Sequence, residues 1–131
     1  MSQENVEIVR LAWELTSRVG EPDFERLDPD IVWHMREDLP DSRTYRGHVA
    51  LAKVYAEWFD SFDGFRVDIE ELVDAGDRVV AVLTIRGRIK GSSQEVEMPE
   101  AQVWKIVDGK AVEVHEYPTR SAALKAVGLE E

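Results

Sequence analysis

Hydrophobic residues recur at helical spacing in two stretches of the chain and alternate with polar ones over most of the rest. Near the start, Val6, Val9, Trp13 and Thr16 keep helical spacing, and Ile8, Leu11, Ala12 and Leu15 widen that stripe. Ser2 stands where a cap belongs, Glu4 and Glu7 suit the positive end of a helix dipole, and Gly20 with Pro22 stops the helix. A short helical turn is expected over 23–27, closed by Asp28-Pro29. The second stripe is stronger. Leu51, Val54, Tyr55, Trp58, Phe59 and Phe62 fall on one helical face, and Asp63-Gly64 ends it.

Elsewhere the period is two. Ile31 to Met35 predicts a short strand with Val32 and His34 on one face and Ile31, Trp33 and Met35 on the other. Residues 36–46, with Pro40 inside, read as a loop. Phe65, Val67 and Ile69 alternate with charged residues until Glu70-Glu71 breaks the phase, which predicts a bulge. Ala75-Gly76-Asp77 turns the chain into a strand over 79–85 that is apolar on both faces. Residues 94–107 form a long strand, with Glu100, Gln102 and Trp104 on one face and Pro99, which cannot donate to a ladder, marking an edge or bulge. Asp108-Gly109 is a hairpin turn into the last strand, 111–117. Thr119 caps a closing helix that Gly128 ends. Strands gathered after helices predict an α+β fold with an antiparallel meander, in a single domain over 1–131.

Composition narrows the function classes. The absence of cysteine excludes thiol catalysis, disulfides and thiolate metal sites. A formal charge of −11 argues against nucleic acid and anionic membranes as partners. No secretory leader or apolar span is visible, so a cytoplasmic location is expected. Three scattered histidines without a His-x-x-x-His pair give no metal signal, and no phosphate loop or other cofactor motif is present.

Several segments together carry a resemblance: Asn5–Arg10, Leu27–His34, Tyr45-Arg46-Gly47-His48, Val103-Trp104 ahead of Asp108-Gly109-Lys110, Glu116-Tyr117, Ala123-Leu124 and Gly128-Leu129. In this order and spacing the chain resembles the SnoaL-like branch of the nuclear transport factor 2-like superfamily, which includes ketosteroid isomerase. The resemblance implies a curved antiparallel sheet wrapped by about three to four helices into a cone with an apolar pocket, and a homodimer through the open sheet face. It does not assign a reaction, because such folds host isomerases, cyclases, hydrolases, dehydratases and proteins without chemistry.

The resemblance puts His34 at the strand position of the isomerase's general base, and Gln102 at that of its neutral, hydrogen-bond-donating aspartic acid. His34 reads as a proton shuttle in the cavity or as a core or rim residue. Gln102 donates without pKa tuning, or fixes a ligand or a buried water. Glu100 shares the face of Gln102; it is an acid or base if it faces the cone, and a solvent residue if Pro99 bulges the strand there. His115 is either a replacement acid at the pocket's end or a surface residue beside Glu113 and Glu116. Thr119 stands where related cyclases have an aspartate, and it cannot be that acid. His48 reads as structural. Arg86 with Asp68 imitates part of an epoxide-hydrolase set, without its third acid. Trp13, Tyr45, Tyr55, Trp58, Phe59, Trp104 and Tyr117 are the expected ligand-lining residues.

Two functions follow from these residues. One is a cofactor-free isomerase, cyclase or lyase that moves a proton on an apolar planar small molecule. The other is a non-catalytic ligand-binding protein or dimeric scaffold.

Overall fold

The computed structural model describes residues 2–40 and 42–129, with Ser2 by its backbone alone. Helix α1 spans Ser2–Val19. Ser2 is its first helical residue, and its side chain lies outside those described. Val6, Val9, Ala12, Trp13 and Thr16 are buried as the stripe requires, whereas Leu11 on its flank is exposed. Gly20, at φ +78°, donates to the Thr16 carbonyl and closes the helix. The helical turn expected over 23–27 is a bare turn, in which the Asp23 carbonyl accepts from the backbone of Arg26 and Leu27.

Strand β1 then runs Leu27–His34, longer than its apolar stretch. The supposed loop contains β2, Thr44–Arg46, which returns antiparallel on β1. Helix α2, Gly47–Ser61, follows directly. The Ser61 hydroxyl turns back onto the Glu57 carbonyl at its end. Phe62 opens β3, Phe62–Ala75, which is bulged between Ile69 and Glu71 as the broken alternation requires. Strands β4 (Arg78–Ile89), β5 (Glu95–Val107) and β6 (Lys110–Tyr117) complete a meander, and α3, Arg120–Ala126, closes the chain.

The six strands lie in the order β2-β1-β6-β5-β4-β3. The sheet is mixed, not wholly antiparallel, because β1 pairs in parallel with β6 (His34 opposite His115). Pro99 forms no bulge and pairs with Thr84, but it lies at a local edge, as expected. β6 ends opposite Ala101, so β5 has a free flank there. The Pro99 carbonyl faces that flank, where Arg36 Nη1 donates to it at 3.5 Å, and a missing N–H on the same side costs no ladder bond.

The two sheet faces are covered differently. α1 and α2 pack on the inner face, over a core that includes Val9, Trp13, Ile31, Trp33, Leu51, Val79, Leu83 and Trp104. α3 covers part of the outer face, burying Ala123 and Leu124 against Val80, Ala101 and Val103. The outer apolar face of β4 is thus covered in part by the chain's own last helix.

Candidate functional site

The α2 stripe does more than fill a core. Leu51, Val54, Tyr55, Trp58 and Phe59 wall a cavity of about 70 Å³ that opens to solvent. Trp13 of α1, Trp33 at the end of β1, Phe65 and Val67 of β3, and Met98 of β5 complete the apolar lining. Met35, Leu39 and Tyr45 add the chain just after β1. Stacked and edge-on contacts tie the rings together: Trp13 lies parallel to Tyr55 with centroids 6.2 Å apart, and Trp33 meets both edge-on.

One polar strip crosses this wall. Glu100 and Gln102 project from β5 and Glu116 from β6, with Gln102 directly opposite Glu116 in the ladder. Three of the four tryptophans aim their indole N–H at the strip. Trp13 and Trp104 both donate to Gln102 Oε1, at 3.2 and 2.8 Å, and Trp33 donates to Glu116 Oε2 at 2.7 Å. The Gln102 amide donates to Glu100 Oε2 at 2.9 Å. The backbone N–H of Arg36 reaches the other Glu116 oxygen at 3.3 Å.

The two carboxyl groups are not equivalent. Glu100 is 5% exposed, and burial, then the Glu116 charge, push it up to about 8. The Gln102 amide and the Arg36 guanidinium oppose that shift only partly. Burial also raises Glu116, but two N–H donors and Arg36 support its charge. Glu100 is thus the carboxyl that keeps its proton at neutral pH, and Glu116, although also raised by burial, is the one whose charge has the better hydrogen-bond support. Burial, and then both carboxyl groups, hold the Tyr55 phenol well above its ordinary range, so it stays a proton donor. Among the described residues it makes no hydrogen bond and lines the cavity. An acid, a base and a neutral O–H donor thus meet at one aromatic cavity.

The sequence-predicted residues divide between the two faces of the sheet. Glu100, Gln102, Trp13, Tyr45, Tyr55, Trp58 and Phe59 stand at the cavity, and Glu100 faces inward rather than to solvent. Trp104 lies behind the wall, holding Gln102. His34 is not in the cavity. Ile31 and Trp33 point into the core, at 0% and 3% exposure, so alternation turns His34 outward. There it stacks on His115 at 3.9 Å, and both imidazoles reach Glu113. His115 and Tyr117 share that outer face and do not line the cavity. Arg86 pairs with Asp68 and Glu97 on the outer face, away from the cavity. His48 is structural, 2.8 Å from the Leu27 carbonyl. Thr119 caps α3, accepting from the Ala122 backbone. Glu116 was missed as a site residue; the signal available was a charged residue sharing a face with buried Val114.

The SnoaL-like domain model matches residues 19–114. The chain belongs to the SnoaL-like family. Solved structures of the same fold extend the likeness over nearly the whole chain. A protein from Jannaschia sp. CCS1, proposed to be a SnoaL-like polyketide cyclase, is 20% identical with a TM-score of 0.74, over 98% of this chain and 94% of its own. A ketosteroid isomerase-like protein from Catenulispora acidiphila DSM 44928, in complex with trimethylamine, is 21% identical with a TM-score of 0.70, over 94% and 93%. TerC, co-crystallised with polyporic acid, is 21% identical with a TM-score of 0.74, over 95% and 98%. No curated protein matches the chain. The fold is the α+β cone of this superfamily, with three helices on a six-stranded sheet that does not close among the described residues. Among the described residues no helix is long and apolar enough to cross a membrane.

Proposed function

We propose that this SnoaL-like chain binds a small, ring-bearing apolar molecule in the aromatic cavity and moves a proton on it without a cofactor, as an isomerase, cyclase or lyase does. The observation that carries the reading is a pair of buried carboxyl groups with unequal hydrogen-bond support on an otherwise apolar wall. Environments that push two neighbouring acids apart in pKa are how one site supplies both an acid and a base near neutral pH. Glu116 takes the proton, Glu100 gives one back, and Tyr55 and the Gln102 amide hydrogen-bond the substrate oxygen as charge develops on it. His34 and His115, on the far face, have no part in it.

Any charge the pair carries is negative, which favours neutral or cationic ligands over anions. The size of the cavity is a second constraint. About 70 Å³ is roughly half the volume of an apolar cavity known to admit benzene, about 150 Å³. A single ring or a compact amine fits with little movement; a polycyclic molecule requires the side chains at the mouth to part. The trimethylamine and polyporic acid seen with two relatives bracket that range. The same reading takes the chain as a cytoplasmic homodimer through the outer sheet face beyond α3, which sedimentation at micromolar concentration checks; a monomer refutes that part.

The test is a thermal-shift panel of single-ring ketones, phenols, compact amines and polycyclic quinones, followed by deuterium uptake from heavy water into each ligand that binds. A ligand at about 100 times its Kd adds roughly 2.7 kcal/mol, a shift of several degrees. Uptake that falls about 100-fold or more in Glu116→Gln, with binding retained, supports the catalytic reading. Binding without uptake in any ligand favours the second reading, a non-catalytic binding protein, for which the small cavity is the supporting observation. A panel with no shift leaves a scaffold.

A further inference from the structure

Outside the cavity, one cluster of ligating side chains has no part in that chemistry. Parallel pairing of β1 with β6 sets His34 opposite His115, and Glu113 lies two residues before His115 on the same face. His34 Nε2 is 3.0 Å from Glu113 Oε2, and His115 Nε2 is 3.4 Å from the same oxygen. The three ligand atoms all lie within 4.8 Å of one another.

We propose that His34, Glu113 and His115 bind one divalent transition-metal ion of the zinc class, bridging β1 and β6 on the outer face of the sheet. Two imidazoles and a carboxylate are a recognised three-ligand set for such an ion, with a fourth position left open. Ligands about 2.0–2.1 Å from a tetrahedral ion stand about 3.3 Å from each other. The two N–O separations here, 3.0 and 3.4 Å, already bracket that edge. The rings stack with centroids 3.9 Å apart and planes within 10°, so their in-plane lone pairs run nearly parallel and one ring must turn for both to meet a single ion. In the single chain the side chains of His34, Glu113 and His115 are 30%, 39% and 40% exposed, which leaves the rings free to turn, and the proposed dimer must leave this β1–β6 end of the outer face uncovered.

The hydrogen bonding around the cluster points the same way. Thr44 Oγ1 lies 3.3 Å from His34 Nδ1. When Nδ1–H donates to that hydroxyl, the Nε2 lone pair faces the Glu113 oxygen, and two acceptors 3.0 Å apart need a proton or a cation between them. Thr44 thus serves as the outer support that fixes the ligating tautomer. His115 and Glu113 also wall a cleft of about 110 Å³ with Arg78, Lys105, Tyr117 and Ala126, which leaves room for water or a small anion as fourth ligand. The formal charge of −11 favours capture of a cation overall.

The deciding experiment titrates Zn²⁺ into the full-length, chelator-treated chain without a polyhistidine tag, by calorimetry. One ion per chain with a micromolar or tighter Kd is the expected result. His34→Gln, His115→Gln and Glu113→Gln each weaken binding by more than about tenfold, and Thr44→Val by roughly tenfold, the loss typical of an outer-shell partner. Glu97→Gln, a surface acid elsewhere, leaves it unchanged. Should a ligand variant fail to fold, the wild type still decides. Added Zn²⁺ must shift the imidazole NMR signals of His34 and His115 and leave those of His48 in place. No saturable binding, one ion shared by two chains, or affinity that survives His115→Gln would overturn the proposal.

Discussion

Gln102 is the residue on which the polar strip depends. Its oxygen takes two indole donors and its amide supplies Glu100, so one side chain satisfies three buried groups. Gln102→Leu leaves two indole N–H groups and a buried carboxyl without partners, and should cost about 2–4 kcal/mol in urea unfolding. Glu100 gives a pH test. Its folded pKa, about 8, lies above its ordinary 4.5, so the native state keeps a proton that the unfolded chain has lost. The stability it contributes is full below pH 4.5 and is lost as pH rises to about 8. Glu116 acts in the same sense. Glu71 and Glu113, held below their ordinary range, contribute above it and lose stability only as pH falls. Glu100→Gln should therefore flatten the decline between pH 5 and 9 and exceed wild type by about 2–4 kcal/mol at pH 9. An unchanged slope would mean that Glu100 is ionised throughout. Sequence reading reached Gln102 through the family resemblance and Glu100 through its place on the same strand face as Gln102 and Trp104, with a solvent position for Glu100 left open. It misplaced His34, although three large apolar residues on the opposite face outweighed Val32 and His34 as a mark of the inside.

At the scale of elements, what was legible is local and what was not is long-range. Helical stripes, the bulge at Glu70-Glu71, the Asp108-Gly109 turn and the last helix each depend on a few neighbouring residues, and each appears. The parallel pairing of β1 with β6 joins residues about 80 positions apart, and no spacing rule announces it. It is also what assembles His34, Glu113 and His115, so the lack of a local metal motif said nothing about them. β2 was hidden for a related reason: three mostly exposed residues, Thr44-Tyr45-Arg46, have no alternation to read and are a strand only because β1 is beside them. α3 gives the test at this scale. It is seven residues long, too short to persist without packing and caps. The Thr119 hydroxyl accepts from Ala122, and the backbone of Leu129 donates back to the Leu124 carbonyl beyond Gly128 at φ +77°. Thr119→Ala should cost about 1 kcal/mol and expose the Val80, Ala101 and Val103 patch, seen as faster amide exchange in β5 with the cavity signals unchanged.

For the molecule as a whole, the sheet divides two kinds of environment, and charge is distributed to match. The inner face holds an aromatic cavity whose acids are one buried carboxyl pair. The outer face and edges carry Arg–carboxylate pairs: Arg86 with Asp68 and Glu97, Arg66 with Asp68, Arg88 with Glu95, and Arg120 with Glu71. Those pairs are largely exposed, and each contributes roughly 0–1 kcal/mol. Against them stands an excess of eleven acidic groups over the basic ones. At an ionic strength of 0.01 M the Debye length is about 30 Å, comparable to the molecule, and nearly every acid repels every other. At 0.15 M it falls to about 8 Å, which removes the distant repulsions and keeps most of each contact pair. Self-repulsion is therefore the larger effect, and Tm should rise as sodium chloride is raised from 0.01 to 0.15 M. A Tm that falls over this range would mean that the arginine pairs on the outer face contribute more than surface pairs ordinarily do. The next measurement would then be a double-mutant cycle on Arg86 and Asp68.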